Sequence, residues 1–195
     1  MSSAVRVAEN YQWEMTLKTG DVNNDGTPDI LIAVHDMLRV YDGKTFTKIA
    51  ERSFQSDHNL TAEKAFYLRV EVVDIDKNGK NDILVTTSSN MSNVVPKFHL
   101  FLNGNLATTD NNVHLTKELN IGDTVLKTAT FAVGDINGDN LDEIVFHVSV
   151  DLNHHYVTFF NYTNKSFTNL AELCEIPMNS VYIGPIVLRL CVNII

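Results

Sequence analysis

This sequence predicts an all-β chain built as three similar units of four antiparallel strands. Three observations carry that prediction. A nine-residue acidic pattern occurs at Asp21–Asp29, again at Asp74–Asp82 and again at Asp135–Glu143. Positions 21, 74 and 135 open the copies, a spacing of 53 and then 61 residues, which is the range of propellers, solenoids and arrays. Each copy is flanked by short apolar segments rich in β-branched residues, which suit strands.

The units divide alike. In the first, Glu14–Lys18 leads into the loop, Asp29–Val34 leaves it, Leu38–Tyr41 follows, Asp42-Gly43 turns, and the polar Thr45–Ala50 runs outward. In the second the segments are Phe66–Val73, Asp82–Thr87, Phe98–Leu102, the turn Asn103-Gly104 and Val113–Lys117. In the third they are Ala129–Val133, Glu143–Val148, Tyr156–Phe160, the turn Tyr162–Asn164 and Ser166–Leu170. Asp-Gly and Asn-Gly are strong hairpin dipeptides. Four strands per unit is the blade of a β-propeller. The expected organisation is one partial propeller domain over 1–195, with blades at about 10–56, 63–120 and 124–176. Residues 177–195 read as a tail or the start of a truncated fourth blade. Three blades alone leave open sheet edges, so the ring is expected to be larger, completed by missing sequence or by another chain.

The loops carry the chemistry. Positions 1, 3, 5 and 9 are Asp21, Asn23, Asp25 and Asp29; then Asp74, Asp76, Asn78 and Asp82; then Asp135, Asn137, Asp139 and Glu143. Each set holds three carboxylates and one asparagine. Three negative charges packed together repel unless a cation compensates. Calcium takes six to eight oxygen ligands, and the position-7 backbone carbonyls of Thr27, Lys80 and Leu141 supply further candidates. Position 6 must turn sharply, which suits Gly26 and Gly79 and, less well, Asn140. Magnesium fits less well because it demands near-ideal octahedral geometry. Zinc fits poorly because no Cys or His stands at these positions. An EF-hand needs a glutamate at position 12, but these loops have Ile32, Val85 and Phe146 there. The bland alternative is an Asx-rich turn without metal.

With Gly20–Gly26 and Phe131–Asp139 laid out, the chain resembles the FG-GAP/VCBS repeat family, over about residues 10–176. That is the calcium-loop blade of integrin α-subunit propellers and of many secreted proteins. The second copy departs from it at Val73, where the pattern has glycine. The resemblance implies a ring of roughly seven blades and about three calcium ions, one per loop, in a mainly structural role. It also implies an extracellular or cell-surface module that recognises a protein or a glycan. Two rivals stand beside this reading: a propeller belonging to a polysaccharide lyase or hydrolase, and a calcium-stabilised lectin.

Composition sets outer bounds. The chain has 195 residues, 44% hydrophobic and 20% charged, ordinary for a globular domain. A net charge of −9 argues against nucleic acid and anionic membrane partners. The apolar stretch Val181–Ile195 is broken by Pro185 and Arg189, which argues against membrane insertion. No signal peptide is visible at the N-terminus. Cys174 and Cys191 suit either a disulfide or two free thiols. No catalytic set emerges. The seven histidines lack metal spacing, His154-His155 reads as a solvated loop pair, and His147 as a structural residue on a strand. The chain is therefore expected not to be an enzyme on its own.

Overall fold

The computed structural model describes residues 15–58, 67–88, 95–106, 114–118, 128–149, 154–163 and 166–177. Among the described residues, twelve strands form three antiparallel four-stranded sheets. Sheet 1 holds β1 (Met15–Gly20), β2 (Asp29–Val34), β3 (Met37–Tyr41) and β4 (Lys48–Ser53) in chain order. Sheet 2 holds β5 (Tyr67–Val73), β6 (Asp82–Ser88), β7 (Lys97–Phe101) and β8 (His114–Glu118). Sheet 3 holds β9 (Thr128–Gly134), β10 (Glu143–Ser149), β11 (His154–Thr163) and β12 (Ser166–Pro177). Among the described residues there is no α-helix, only two 3₁₀ turns, Ser56–His58 and Leu102–Gly104. No helix there is long and apolar enough to cross a membrane.

The sheets stack face to face in chain order. Leu31, Ala33, Leu38 and Val40 of sheet 1 meet Leu68, Val70, Ile83 and Val85 of sheet 2. The other face of sheet 2 presents Leu84, Phe98 and Leu100 to Ile144, Phe146, Val148 and Phe160 of sheet 3. Every residue of β6 is therefore buried, whereas β2 and β10 keep half-buried positions. A strand covered on both faces tends to a continuous apolar run, which β6 has at Ile83–Val85 between buried Asp82 and buried Thr86, Thr87 and Ser88. Phe98 meets Phe131 and Phe146 edge-on at 5.7 and 5.0 Å, the preferred geometry for aromatic pairs. Burial of such apolar area stabilises by roughly 25 cal/mol per Å².

Polar links tie the strands that precede the loops. Thr16 Oγ1 donates to the Leu68 carbonyl at 2.7 Å, and Lys18 Nζ pairs with Glu71 at 2.6 Å. The chain leaving β4 is pinned to sheet 2. Arg52 pairs with Asp57 at 3.2 Å while its guanidinium lies 5.0 Å from the centre of the Phe101 ring.

Three local expectations need correction. The fourth strand of the first unit starts at Lys48, not Thr45. The Asp42 carboxylate accepts hydrogen bonds from the Lys44 and Thr45 amides, and the Phe46 amide donates to the Asp42 carbonyl. That closes a wider turn, with Phe46 at φ 57°, in place of a two-residue hairpin. The last strand continues to Pro177, well past Leu170. His154 and His155 open β11 and are not in a loop. The His155 and His147 rings stack, with His147 Nε2 3.0 Å from His155 Nδ1. Residues 1–14, and 178–195 with Cys191 and nearly all of the expected tail, lie outside the described residues.

Candidate metal centres in three loops

Each acidic loop joins the first two strands of its sheet: β1 to β2, β5 to β6, β9 to β10. The loops share one internal hydrogen-bond scheme. The position-1 carboxylate reaches across the loop to accept two amides. Asp21 takes those of Asp25 and Gly26, at 3.0 and 2.8 Å. Asp74 takes those of Asn78 and Gly79, at 2.9 and 2.8 Å. Asp135 takes those of Gly138 and Asn140, at 2.7 and 3.0 Å. Position 3 accepts the position-5 amide, through Asn23, Asp76 and Asn137. Position 5 accepts the position-7 amide, so Asp25, Asn78 and Asp139 hold Thr27, Lys80 and Leu141. Asx side chains that satisfy nearby amides replace the ladder the chain has left.

Position 9 does something the sequence did not announce. Asp29 and Asp82 are fully buried and Glu143 nearly so. Each accepts the position-2 amide from beneath the loop: Val22 at 3.1 Å, Ile75 at 2.9 Å, Ile136 at 2.9 Å. The longer Glu143 reaches the same amide as its aspartate counterparts. Asp29 also accepts the Gly43 amide and Asp82 the Asn103 amide, so the loop is bolted to the turn after the third strand. Nothing in the sequence forewarned of it, since the accepted amide lies 14 residues on from Asp29 and 21 on from Asp82.

The tight path requires two left-handed residues per loop. Position 6 is expected from the sequence: Gly26, Gly79 and Asn140 have φ of 85, 87 and 68°. Position 4 is not, and there Asn24, Lys77 and Gly138 have φ of 61, 56 and 80°. The third loop thus keeps a glycine, shifted by two positions.

The loops differ in how negative charge is met. In loop 1, Lys44 Nζ lies 3.2 Å from Asp25, and the Asn23 amide nitrogen donates to Asp29. In loop 3, the Asn137 amide nitrogen donates to both Asp139 and Glu143. Loop 2 has aspartate at position 3, which offers no such donor. Oxygens of Asp74, Asp76 and Asp82 all lie within 4.8 Å of one another. Burial pushes the Asp82 carboxyl up to about 6, and the Asp76 and Asp74 charges add to this, against the Asn103 and Ile75 amides. Three converging carboxylates, one of them buried, form a hard all-oxygen donor set fit for a cation of the calcium type. Lys77 Nζ, 2.7 Å from Asp142, ties loop 2 to loop 3, and that bond holds its pKa above the usual lysine value.

Of the fifteen residues expected to form sites, the structure brings Asp74, Asp76 and Asp82 together as a group able to hold a metal ion. The side chains of Asp21, Asn23, Asp25, Asp29, Asp135, Asn137, Asp139 and Glu143 occupy equivalent positions in the internal networks of loops 1 and 3. Asn78 instead bridges Asp76 and Asn103 through its amide nitrogen. Thr27, Lys80 and Leu141 stand in the loops with their amides held as described.

A repeated β-sheet unit with an acidic loop between its first two strands is the architecture of a repeat module. Residues 21–85 match the family model described as FG-GAP-like repeat, so the chain carries an FG-GAP-like repeat. That segment runs from the first residue of loop 1, through loop 2, into β6. No curated protein and no solved structure matches the chain.

Proposed function

We propose that this chain is a calcium-stabilised β-propeller module whose ring presents a recognition surface for a protein or a glycan outside the cell. One observation carries the reading: the convergence of Asp74, Asp76 and Asp82, with Asp82 sealed under its loop. Calcium would be held by the side chains at positions 1, 3, 5 and 9 and by the carbonyls of Thr27, Lys80 and Leu141. Its contribution is charge neutralisation and cross-linking of each loop, with no part in a reaction. Loop 2 is the strongest site, and loops 1 and 3 fill at higher concentration. Such sites, with dissociation constants of about 10⁻⁴–10⁻³ M, are filled in extracellular fluid. Bonds from loop to loop, Asn81 to Asp21 and Lys77 to Asp142, support ions held in a row of neighbouring loops.

Calorimetric titration with calcium tests the metal reading. Three sites are expected, together with a rise in melting temperature, and Asp74→Ala should remove the tightest. A melting temperature indifferent to calcium and EDTA would sink it. A glycan array with and without EDTA then separates partners, since calcium-dependent glycan binding identifies a lectin and its absence leaves a protein partner.

A further inference from the structure

We propose that Asn78-Gly79 in loop 2 is a self-modification site, at which the folded chain converts the Asn78 side-chain amide to a carboxylate. Loops 1 and 3 already have aspartate at this position, Asp25 and Asp139. In an asparagine-glycine pair the next peptide nitrogen reaches the side-chain carbonyl carbon readily, because glycine has no Cβ to obstruct the approach. The surroundings of this pair supply what the reaction needs. The attacking nitrogen is that of Gly79. Its N–H donates to Asp74 Oδ2 at 2.8 Å, so a carboxylate base already sits on the proton that must leave. The Lys80 amide donates to Asn78 Oδ1 at 2.9 Å. That bond folds the side-chain carbonyl back over the Gly79 peptide and meets the negative charge that grows on this oxygen during attack. Among the described residues, no atom beyond its chain neighbours lies within 4 Å of a Cβ built on Gly79, which leaves room for a ring to form.

In the first step the Gly79 nitrogen bonds to Asn78 Cγ as Asp74 takes its proton. The Cγ–Nδ2 bond then breaks, the proton goes to the departing nitrogen, and ammonia leaves behind a cyclic succinimide. Water opens that ring. Opening at Cγ leaves aspartate, and opening at the backbone carbonyl leaves isoaspartate, with an extra carbon in the main chain. The other asparagine-glycine pair is arranged differently. At Asn103-Gly104 the carboxylate bond, from Asp82, falls on the Asn103 amide, one residue before the glycine. Gly104 is also wedged, since a Cβ there would lie 2.3 Å from the Val22 carbonyl oxygen. Conversion at Asn78 changes the charge of loop 2. Asn78 Nδ2 now donates to Asp76 Oδ2 at 3.0 Å. Once that nitrogen is an oxygen, two carboxylates face each other, which costs stability unless a cation lies between them. The gain of a charged calcium ligand rests on the calcium reading proposed above; the conversion itself does not.

Peptide mapping by mass spectrometry tests this on the full chain, aged at neutral pH in EDTA, both folded and in urea. In the folded chain Asn78 should convert several-fold faster than Asn103. In urea the two pairs should convert at similar rates, because the structure that separates them is gone. Asp74→Asn keeps an acceptor of similar shape but removes the base, and should bring the Asn78 rate down towards that of Asn103. A folded-chain rate at Asn78 equal to or below that at Asn103 overturns the proposal without recourse to variants. So does a preference for Asn78 that persists in urea, which would assign it to local sequence alone. Calcium titration of Asn78→Asp, the product made directly, reads the consequence separately. It should bind calcium several-fold more tightly than wild type, and equal affinity would overturn the added-ligand role. Absence of calcium binding in both chains would fail the metal reading, while the mass measurement still decides the conversion.

Discussion

The Asn81 side-chain amide donates to the backbone carbonyl of Asp21 at 2.9 Å, joining the second loop to the first across sixty residues of chain. The bond lies where the two sheets stack, at the end that carries the acidic loops. Removing it should cost about 1 kcal/mol, the usual net value of one such hydrogen bond. In a domain of this size that is roughly 2–4 °C of melting temperature. Asn81→Ala should show this loss and, on the proposed calcium reading, also weaken calcium binding at loop 1, since it holds the backbone of Asp21. Equal melting curves for the variant and wild type would remove the coupling.

Asp82 makes the metal-free chain respond to pH in an unusual direction. Its carboxyl titrates near 6 in the folded chain and at its ordinary 3.8 when unfolded. Between those values the folded state keeps a proton that the unfolded state has released. Stability contributed by this group is therefore present below pH 4 and lost as pH rises to 6. Denaturant titrations in EDTA should show wild type losing stability relative to Asp82→Asn across that window. Calcium should reverse the difference at pH 7, because only the ionised aspartate binds it well. A constant difference from pH 4 to 7 would refute the assignment.

On the proposed calcium reading Lys44 would compete with the ion in loop 1, since its ammonium lies 3.2 Å from Asp25. Both groups are partly exposed, and such pairs are worth up to about 1 kcal/mol. Lys44→Met should raise calcium affinity at loop 1 by roughly two- to fivefold, the equivalent in binding of that energy. Titration of the variant beside wild type checks this, and an unchanged or weaker site contradicts it.

Two glycines should differ in what they tolerate. A Cβ at Gly104 would lie 2.3 Å from the Val22 carbonyl oxygen, on a backbone at φ 68°. At Gly20 the obstacle is the Val72 side chain, with no positive φ. Backbone gives way less readily than a side chain, and left-handed alanine adds roughly 1 kcal/mol. Urea denaturation should therefore rank Gly104→Ala as the more damaging change. The reverse order would show that the Val22 carbonyl moves freely.

Much of the scaffold was legible because its cause is local. Strands showed as apolar runs, and the loops as Asx residues at alternate positions around a glycine. The wide turn at Asp42–Thr47 was not, because its Asp-Gly pair is overruled by the side chain of Asp42 capping two later amides. Nor was the His147–His155 stack, since a histidine pair beside a predicted hairpin gives no sign of pairing across strands.

By itself the sequence determined the order of strands, the three loops and the oxygen-rich character of positions 1, 3, 5 and 9. These follow from side-chain periodicity and from what each residue can do within a few neighbours. Only the tertiary structure decided which acidic positions are sealed from water, which loop draws three carboxylates together and which sheet faces are covered. Those depend on Asn103, brought to Asp82 by the turn after β7 of the same sheet, and on Asn81 and Val72, brought beside sheet 1 by sheet stacking, and burial and charge act through that distance in space.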